Sequence, residues 1–239
     1  MNRGIYPPLA GALALERRLE VLSHNIGNVH TTGFKKDTPL FATILGQTSG
    51  PSVAGIDLFP VIDSLPPDRS QGVLVHTGQS LDIALEGEGY FVVETAQGTQ
   101  YFRGGSFYRN TKGLMVTHTG DPVLGKKGPV QLPIGEVGID GEGNIKVNNK
   151  VVDRLRIEKA PQGEELSKIG DLYWTAPPKG VPAVETKVQQ GMLEKSNVNP
   201  ALDMVEIIKV TREYEQMQRA IRAMDEMTAQ AIQAAKVQG

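Results

Sequence analysis

From Met192 to Gln238 the sequence contains no glycine, and after Pro200 it contains no proline. A stretch of that length without either breaker admits one long helix. The middle of the chain is built in the opposite way. Most of its 27 glycines fall between Gly46 and Gly180, with turn residues every several positions. That punctuation spells short strands. The contrast predicts an α+β fold, with helices at the ends and an antiparallel all-β domain at the centre.

The spacing of apolar residues assigns a face to each helix. Ile207, Val210, Tyr214, Met217, Ile221, Met224, Thr228 and Ala231 alternate by three and four, while Arg212, Glu213, Glu215, Arg219, Arg222 and Glu226 stand mostly off that line. Such a heptad seam predicts coiled-coil-like packing. Asn199 and Pro200 mark the start, with Asp203 and Glu206 near the positive end of the dipole. At the other terminus Ala12, Leu15, Leu19, Leu22, Ile26 and Val29 alternate in the same way. This helix is expected to accept Pro7 and Pro8 in its first turn and to stop near Thr31, with Gly33 as a left-handed terminator. The expected fold class is therefore long N- and C-terminal helices paired as a coiled-coil-like assembly domain, flanking the β domain.

Three segments follow from this reading. Residues 1–36 and 194–239 form a discontinuous helical assembly domain. Residues 37–78, rich in Pro, Gly, Ser and Asp, are an extended connector. Residues 79–193 are β-rich, with strand patterns at 81–85, 90–93, 101–103, 106–109, 114–117 and 122–124. A hairpin is expected at 138–145 around Asp140-Gly141-Glu142-Gly143, and a further strand at 151–157. Turn signals at this interval suit a sandwich or barrel-like domain.

Composition removes several function classes. The net charge is -2, from 25 Lys plus Arg and 27 Asp plus Glu, which lacks the basic excess of a nucleic-acid binder. There are no cysteines, so disulfides, a thiol nucleophile and thiolate zinc sites are absent. Gly87-Glu88-Gly89 begins like a dinucleotide loop, but Val92 occupies the third glycine position. Gly125-Lys126-Lys127-Gly128 lacks phosphate-loop spacing. Asp140, Glu142 and Asn144 resemble the start of a calcium loop, yet Ile145 and Val151 stand where glycine and glutamate are needed. His24, His30, His76 and His118 are scattered. No catalytic, metal or cofactor residue is assigned, and the chain is expected not to be an enzyme. The apolar run at 9–15 stops at Glu16, Arg17 and Arg18, too short to span a membrane or to form a signal core.

A chain that leaves one helix and enters the other through the same β domain brings those ends together. An isolated pair of such helices is marginal, because backbone ordering opposes seam burial and helical hydrogen bonds of similar total size. Packing against further copies would stabilise it, as in an assembly subunit.

Three stretches carry a family resemblance. SHNIGNVHTTGFKK at 23–36 resembles the N-terminal signature of flagellar rod and hook proteins, N-N-[IL]-A-N-x-x-T-x-G-[FY]-[KR]. QGMLEKSNVNPALDMVEIIKVTREYE at 190–215 resembles their C-terminal signature, L-E-x-S-N-V-[ND] followed by a helix with R-x-Y-E. Residues 81–93 and 101–125 are similar to their shared β domain. Gly27 replaces the usual alanine, His30 stands where a small polar residue is common, and Phe102 where Thr is frequent before the Arg-x-Gly turn, with Arg103 kept. The resemblance implies a structural subunit of the basal-body rod, polymerising through its terminal helices into a hollow axial shaft. The assembly residues implied are Ala12, Leu15, Leu19, Leu22, Asn25, Ile26, Asn28 and Val29 at one end, and Ile207, Val210, Tyr214, Met217, Ile221 and Met224 at the other. Thr32, Gly33, Phe34 and Lys35 form the motif turn. Implied partners are further copies, neighbouring rod proteins and the flagellar type III export apparatus, with no nucleic acid, no membrane insertion and no cofactor. Implied placement is the periplasmic rod, reached without a cleaved signal peptide. Length and the single β domain resemble a proximal rod member, with a distal member as the alternative. A secreted β-rich enzyme would need paired carboxylates that the sequence does not offer, and a coiled-coil adaptor would not need both terminal signatures.

Overall fold

The computed structural model describes residues 6–45, 58–64, 66–161, 166–177 and 180–237. They fall into two compact units, one drawn from Met1–Gly27, Lys36–Asp68 and Asn199–Gly239, the other from Asn28–Lys35 and Arg69–Val198.

The first unit holds α1 (Tyr6–Gly27), the strands β1 (Leu40–Leu45) and β2 (Leu58–Ser64), and α2 (Pro200–Val237). Helix α1 ends at Gly27, a poor helix former. Helix α2 is capped by Asn199, whose Oδ1 accepts a hydrogen bond from the Leu202 amide at 3.3 Å. Thr211 and Thr228 donate their hydroxyls back to the carbonyls of Ile207 and Met224, each at 2.8 Å, so neither is an unsatisfied polar group inside the helix. Strands β1 and β2 pair antiparallel, with Leu45 opposite Leu58 and Phe41 opposite Ile62.

Long terminal helices paired as a coiled coil do not form. Helix α1 has 22 residues and α2 has 38. At ~1.5 Å per residue these are about 33 and 57 Å long, so much of α2 has no α1 residue to face. The two helices do touch. Arg18 forms an ion pair with Glu206, and Gly11 lies so near Met217 that a Cβ there would stand 3.0 Å from Cε. Helix α1 also lies beside β2. Its inward stripe is thus divided between a helix and a hairpin. Three-and-four spacing marks which face turns inward and says nothing of what covers it. Two further expectations are corrected. Helix α1 stops before Asn28 and Val29, which lie in the following turn, where the Thr31 amide donates to the Asn28 carbonyl at 3.2 Å. The segment 37–78 is no plain connector, since it supplies β1, β2 and the strand Leu74–His76.

The second unit is built on a six-stranded antiparallel sheet in the order 168–169, 173–175, 98–102, 90–95, 157–159, 181–182. Phe91 pairs with Phe102 and Trp174 with Tyr101. Side chains alternate across a strand, so Phe91 and Val93 enter one cluster with Ile83, Leu85, Phe102, Phe107 and Met115, while Tyr90 and Val92 enter another with Tyr101, Leu124 and Trp174. Both faces of the strand 90–95 are covered, which explains its unbroken apolar run. A three-stranded sheet, 137–139, 144–147 and 150–154, and several two-stranded ribbons complete the unit. Its hairpin turns on Asp140, whose Oδ1 accepts from the Asn144 amide at 2.9 Å and from the Glu142 amide at 3.2 Å. The apparent start of a calcium loop is therefore an Asx turn, and among the described residues no group of acids and histidines is placed to hold a metal.

Candidate assembly site

In the helical unit the predicted seam is the inward face. Ala12, Leu22 and Val210 are buried, and Leu15, Leu19, Ile26, Ile207, Tyr214, Met217, Ile221 and Met224 are half-buried. Asn25 is buried for a local reason. Its Nδ2 donates to the Asp37 carbonyl at 2.9 Å and its Oδ1 accepts from the Asp37 amide at 2.9 Å. This pair ties the end of α1 to the chain leading into β1. Asn28 and Val29 are half-buried in the turn outside the helix.

Sequence reasoning missed a second apolar face. Leu202, Val205 and Ile208 are 66%, 64% and 55% exposed, and Met204 is 55% exposed. Leu9 and Leu13 are likewise exposed on α1. At the start of α2 the outward positions Leu202, Met204, Val205 and Ile208 are apolar, whereas charged residues take over the outward positions after Thr211. The outward apolar residues of α2 fall between the three-and-four positions of the inward stripe, so that stripe does not reveal them.

The motif turn belongs to the β unit. Gly33 has φ +74°, and a Cβ on it would lie 2.5 Å from the carbonyl carbon of Arg103. Only glycine fits, for conformation and for space. Its amide donates to the Glu194 carbonyl at 2.8 Å. Thr32 is half-buried and Phe34 is fully buried, with the Lys168 ammonium 4.4 Å above its ring. The Phe34 carbonyl accepts from the Asn197 amide at 3.4 Å. Lys35 is buried too, and its ammonium donates to Glu194 Oε1 at 2.5 Å and to the Ser70 carbonyl at 2.6 Å.

Glu194 organises this region. Besides Lys35, it accepts from the Gly72 amide at 2.9 Å on Oε1 and from Arg103 Nε at 2.7 Å on Oε2. Arg103 spends its remaining donors on backbone carbonyls, with Nη2 reaching Gly87 at 2.8 Å and Leu85 at 3.0 Å, and Nη1 reaching Gly89. Buried ions are tolerated when paired and fully hydrogen-bonded, and this cluster meets that condition. Its members come from the N-terminal signature (Lys35), the β domain (Arg103) and the C-terminal signature (Glu194). Neither Arg103 nor Glu194 was singled out from sequence. The available signal was that both stand inside the family motifs.

Comparison with known proteins places the chain among flagellar axial proteins. Residues 189–234 match the model described as flagellar basal body rod FlgEFG protein C-terminal, and residues 84–156 the flagellar hook protein FlgE/F/G D1 domain. The chain is 30% identical to the flagellar basal-body rod protein FlgF of Rhizobium meliloti and 29% identical to that of Caulobacter vibrioides, over 98% of both chains in each case. It is 29% identical to the flagellar basal-body rod protein FlgG of Bacillus subtilis, over 97% of this chain and 98% of that one. The two segments that meet at Glu194 are thus the ends of a protein matched along its whole length, and the chain belongs to the flagellar basal-body rod protein family.

Proposed function

We propose that this protein is a structural subunit of the rod that joins its neighbours through the outward apolar face of its terminal helices, and that it occupies the proximal, FlgF-like position. The observation that carries the first part is the exposed patch Leu202, Val205 and Ile208, beyond the face that α2 already uses within the chain. Exposed apolar surface of this kind, on a member of an assembling family, is stabilised by burial against another subunit. The predicted seam residues Ile207, Val210, Tyr214, Met217, Ile221 and Met224 then serve the chain's own packing first and present the patch to the neighbour. The proximal position is supported by the similarity to the FlgF proteins of Rhizobium meliloti and Caulobacter vibrioides along 98% of both chains. The distal, FlgG-like position is the second reading, favoured by the FlgG match. Delivery by the flagellar type III apparatus to the periplasmic rod belongs to the same proposal, as does the absence of enzymatic activity.

The test is the double variant Val205→Asp/Ile208→Asp in a strain lacking the gene. Both side chains are exposed in the single chain, so helix content and melting should stay as in the unaltered protein. Rod incorporation and motility should be lost, with secretion assayed separately. Motile cells carrying the exported double variant would overturn this patch as the joining surface.

A further inference from the structure

Within the β unit a cavity of about 300 Å³ opens beside the start of the strand 90–95, lined in part by Arg69, Glu88, Tyr90 and Lys159. Lys35 and Arg103 also reach it, and these two buried cations share the single carboxylate of Glu194. At the rim, Arg69 and Lys159 have no ion pair or hydrogen bond among the described residues, and neither does the Tyr90 hydroxyl, although Tyr90 is only 7% exposed. Burial raises the Tyr90 pKa above its ordinary value against the opposing pull of Arg69 and Arg103, so the phenol is a donor at neutral pH. Among the described lining residues Glu88 is the only acid. Arg69, Lys159 and the Tyr90 phenol thus line one cavity, each without a hydrogen-bond acceptor among the described residues.

We propose that this cavity receives the carboxylate of an Asp or Glu side chain from an adjacent rod subunit, held by Arg69, Lys159 and the Tyr90 hydroxyl. The proposal rests on the rod reading above. A guanidinium fork matches a carboxylate through two parallel hydrogen bonds, and lysine adds a point charge. The space suits one acidic side chain with its flanking peptide and is too small for a folded element. Carboxylates are the anions that protein neighbours in a shaft present, and acidic residues outnumber basic ones in this chain, 27 against 25.

The test is a nuclear magnetic resonance titration of the full chain with acetyl-Gly-Glu-Gly-amide, its Gln counterpart and inorganic phosphate. The Glu peptide should give saturable shifts at Arg69, Tyr90 and Lys159. Binding should weaken by about tenfold or more with the Gln peptide, and likewise in the variant Arg69→Gln/Lys159→Gln, as expected for lost charge-assisted hydrogen bonds. No saturation, undiminished binding by the variant, or saturation by phosphate alone would each overturn the proposal. In cells, Arg69→Glu/Lys159→Glu should be exported yet fail to restore motility where the unaltered gene succeeds, and a motile double variant would overturn the subunit contact. Failure of the unaltered gene itself would strike the rod reading, while the titration still judges the cavity.

Discussion

Glu194 is the residue on which the β unit's buried charges depend. Its removal strands the Lys35 ammonium and one guanidinium edge of Arg103, both nearly inaccessible to water. Glu194→Ala should cost about 3–5 kcal/mol, the usual penalty for an uncompensated buried ion. The fluorescence of Trp174, the single tryptophan and fully buried, follows this unit during urea unfolding. The double variant Glu194→Gln/Lys35→Met should recover part of the loss, because it removes one of the two stranded cations. Gly33→Ala tests the turn itself. A left-handed φ costs a side chain about 1–3 kcal/mol even without a clash. Here the Cβ would also press on the backbone of Arg103 and Gly104, so a loss at the upper end of that range is expected in the same assay.

Within the helices, capping and charge act at the start of α2. Asp203 stands in the first turn, where a carboxylate normally gains from the dipole. Yet its Oδ2 is buried without a hydrogen-bond partner among the described residues. Burial raises its pKa, Lys36 opposes the rise and Glu206 adds to it. A folded pKa above the unfolded one means that the folded chain holds the proton more tightly. The associated stability is present below the ordinary carboxylate pKa and is lost as pH rises through the raised value. Asp203→Asn should therefore melt higher than the unaltered protein at pH 7, and the gap should close as pH falls toward 4. The difference should stay below about 1 kcal/mol because solvent still screens the group. Equal melting of the two proteins at every pH would show that the dipole cancels the burial.

For the whole molecule, the sharpest contrast lies between two faces of one helix. Val210 is fully buried, whereas Val205 and Ile208 are more than half exposed. Val210→Asp should destabilise the helical unit by several kcal/mol, since an unpaired carboxylate is forced among apolar atoms. Helix content by circular dichroism should fall. Val205→Asp/Ile208→Asp should keep the helix and lose only incorporation. If both variants lost helix alike, the outward face would be part of the chain's own core.

Local sequence rules determined where helix can exist and which side turns inward, but not where α1 stops: it ends at Gly27, short of the expected Thr31. The breaker-free stretch, Asn199 as cap and the three-and-four stripes act through backbone conformation and side-chain direction, which neighbouring residues set. The hairpin at 138–145 and the strand at 90–93 were readable for the same reason, although the Asx turn at Asp140 shares its letters with the start of a calcium loop. What covers a stripe was decided by tertiary structure alone. The facing surface of α1 is made by α2 and by β2, and β2 lies in a segment with no clear period. The Lys35, Arg103 and Glu194 cluster is equally a tertiary product. Its members are 68 and 91 positions apart along the chain, as the numbering from Lys35 to Arg103 and from Arg103 to Glu194 shows. Their mutual neutralisation is worth having only once folding has removed the water that would otherwise solvate each of them.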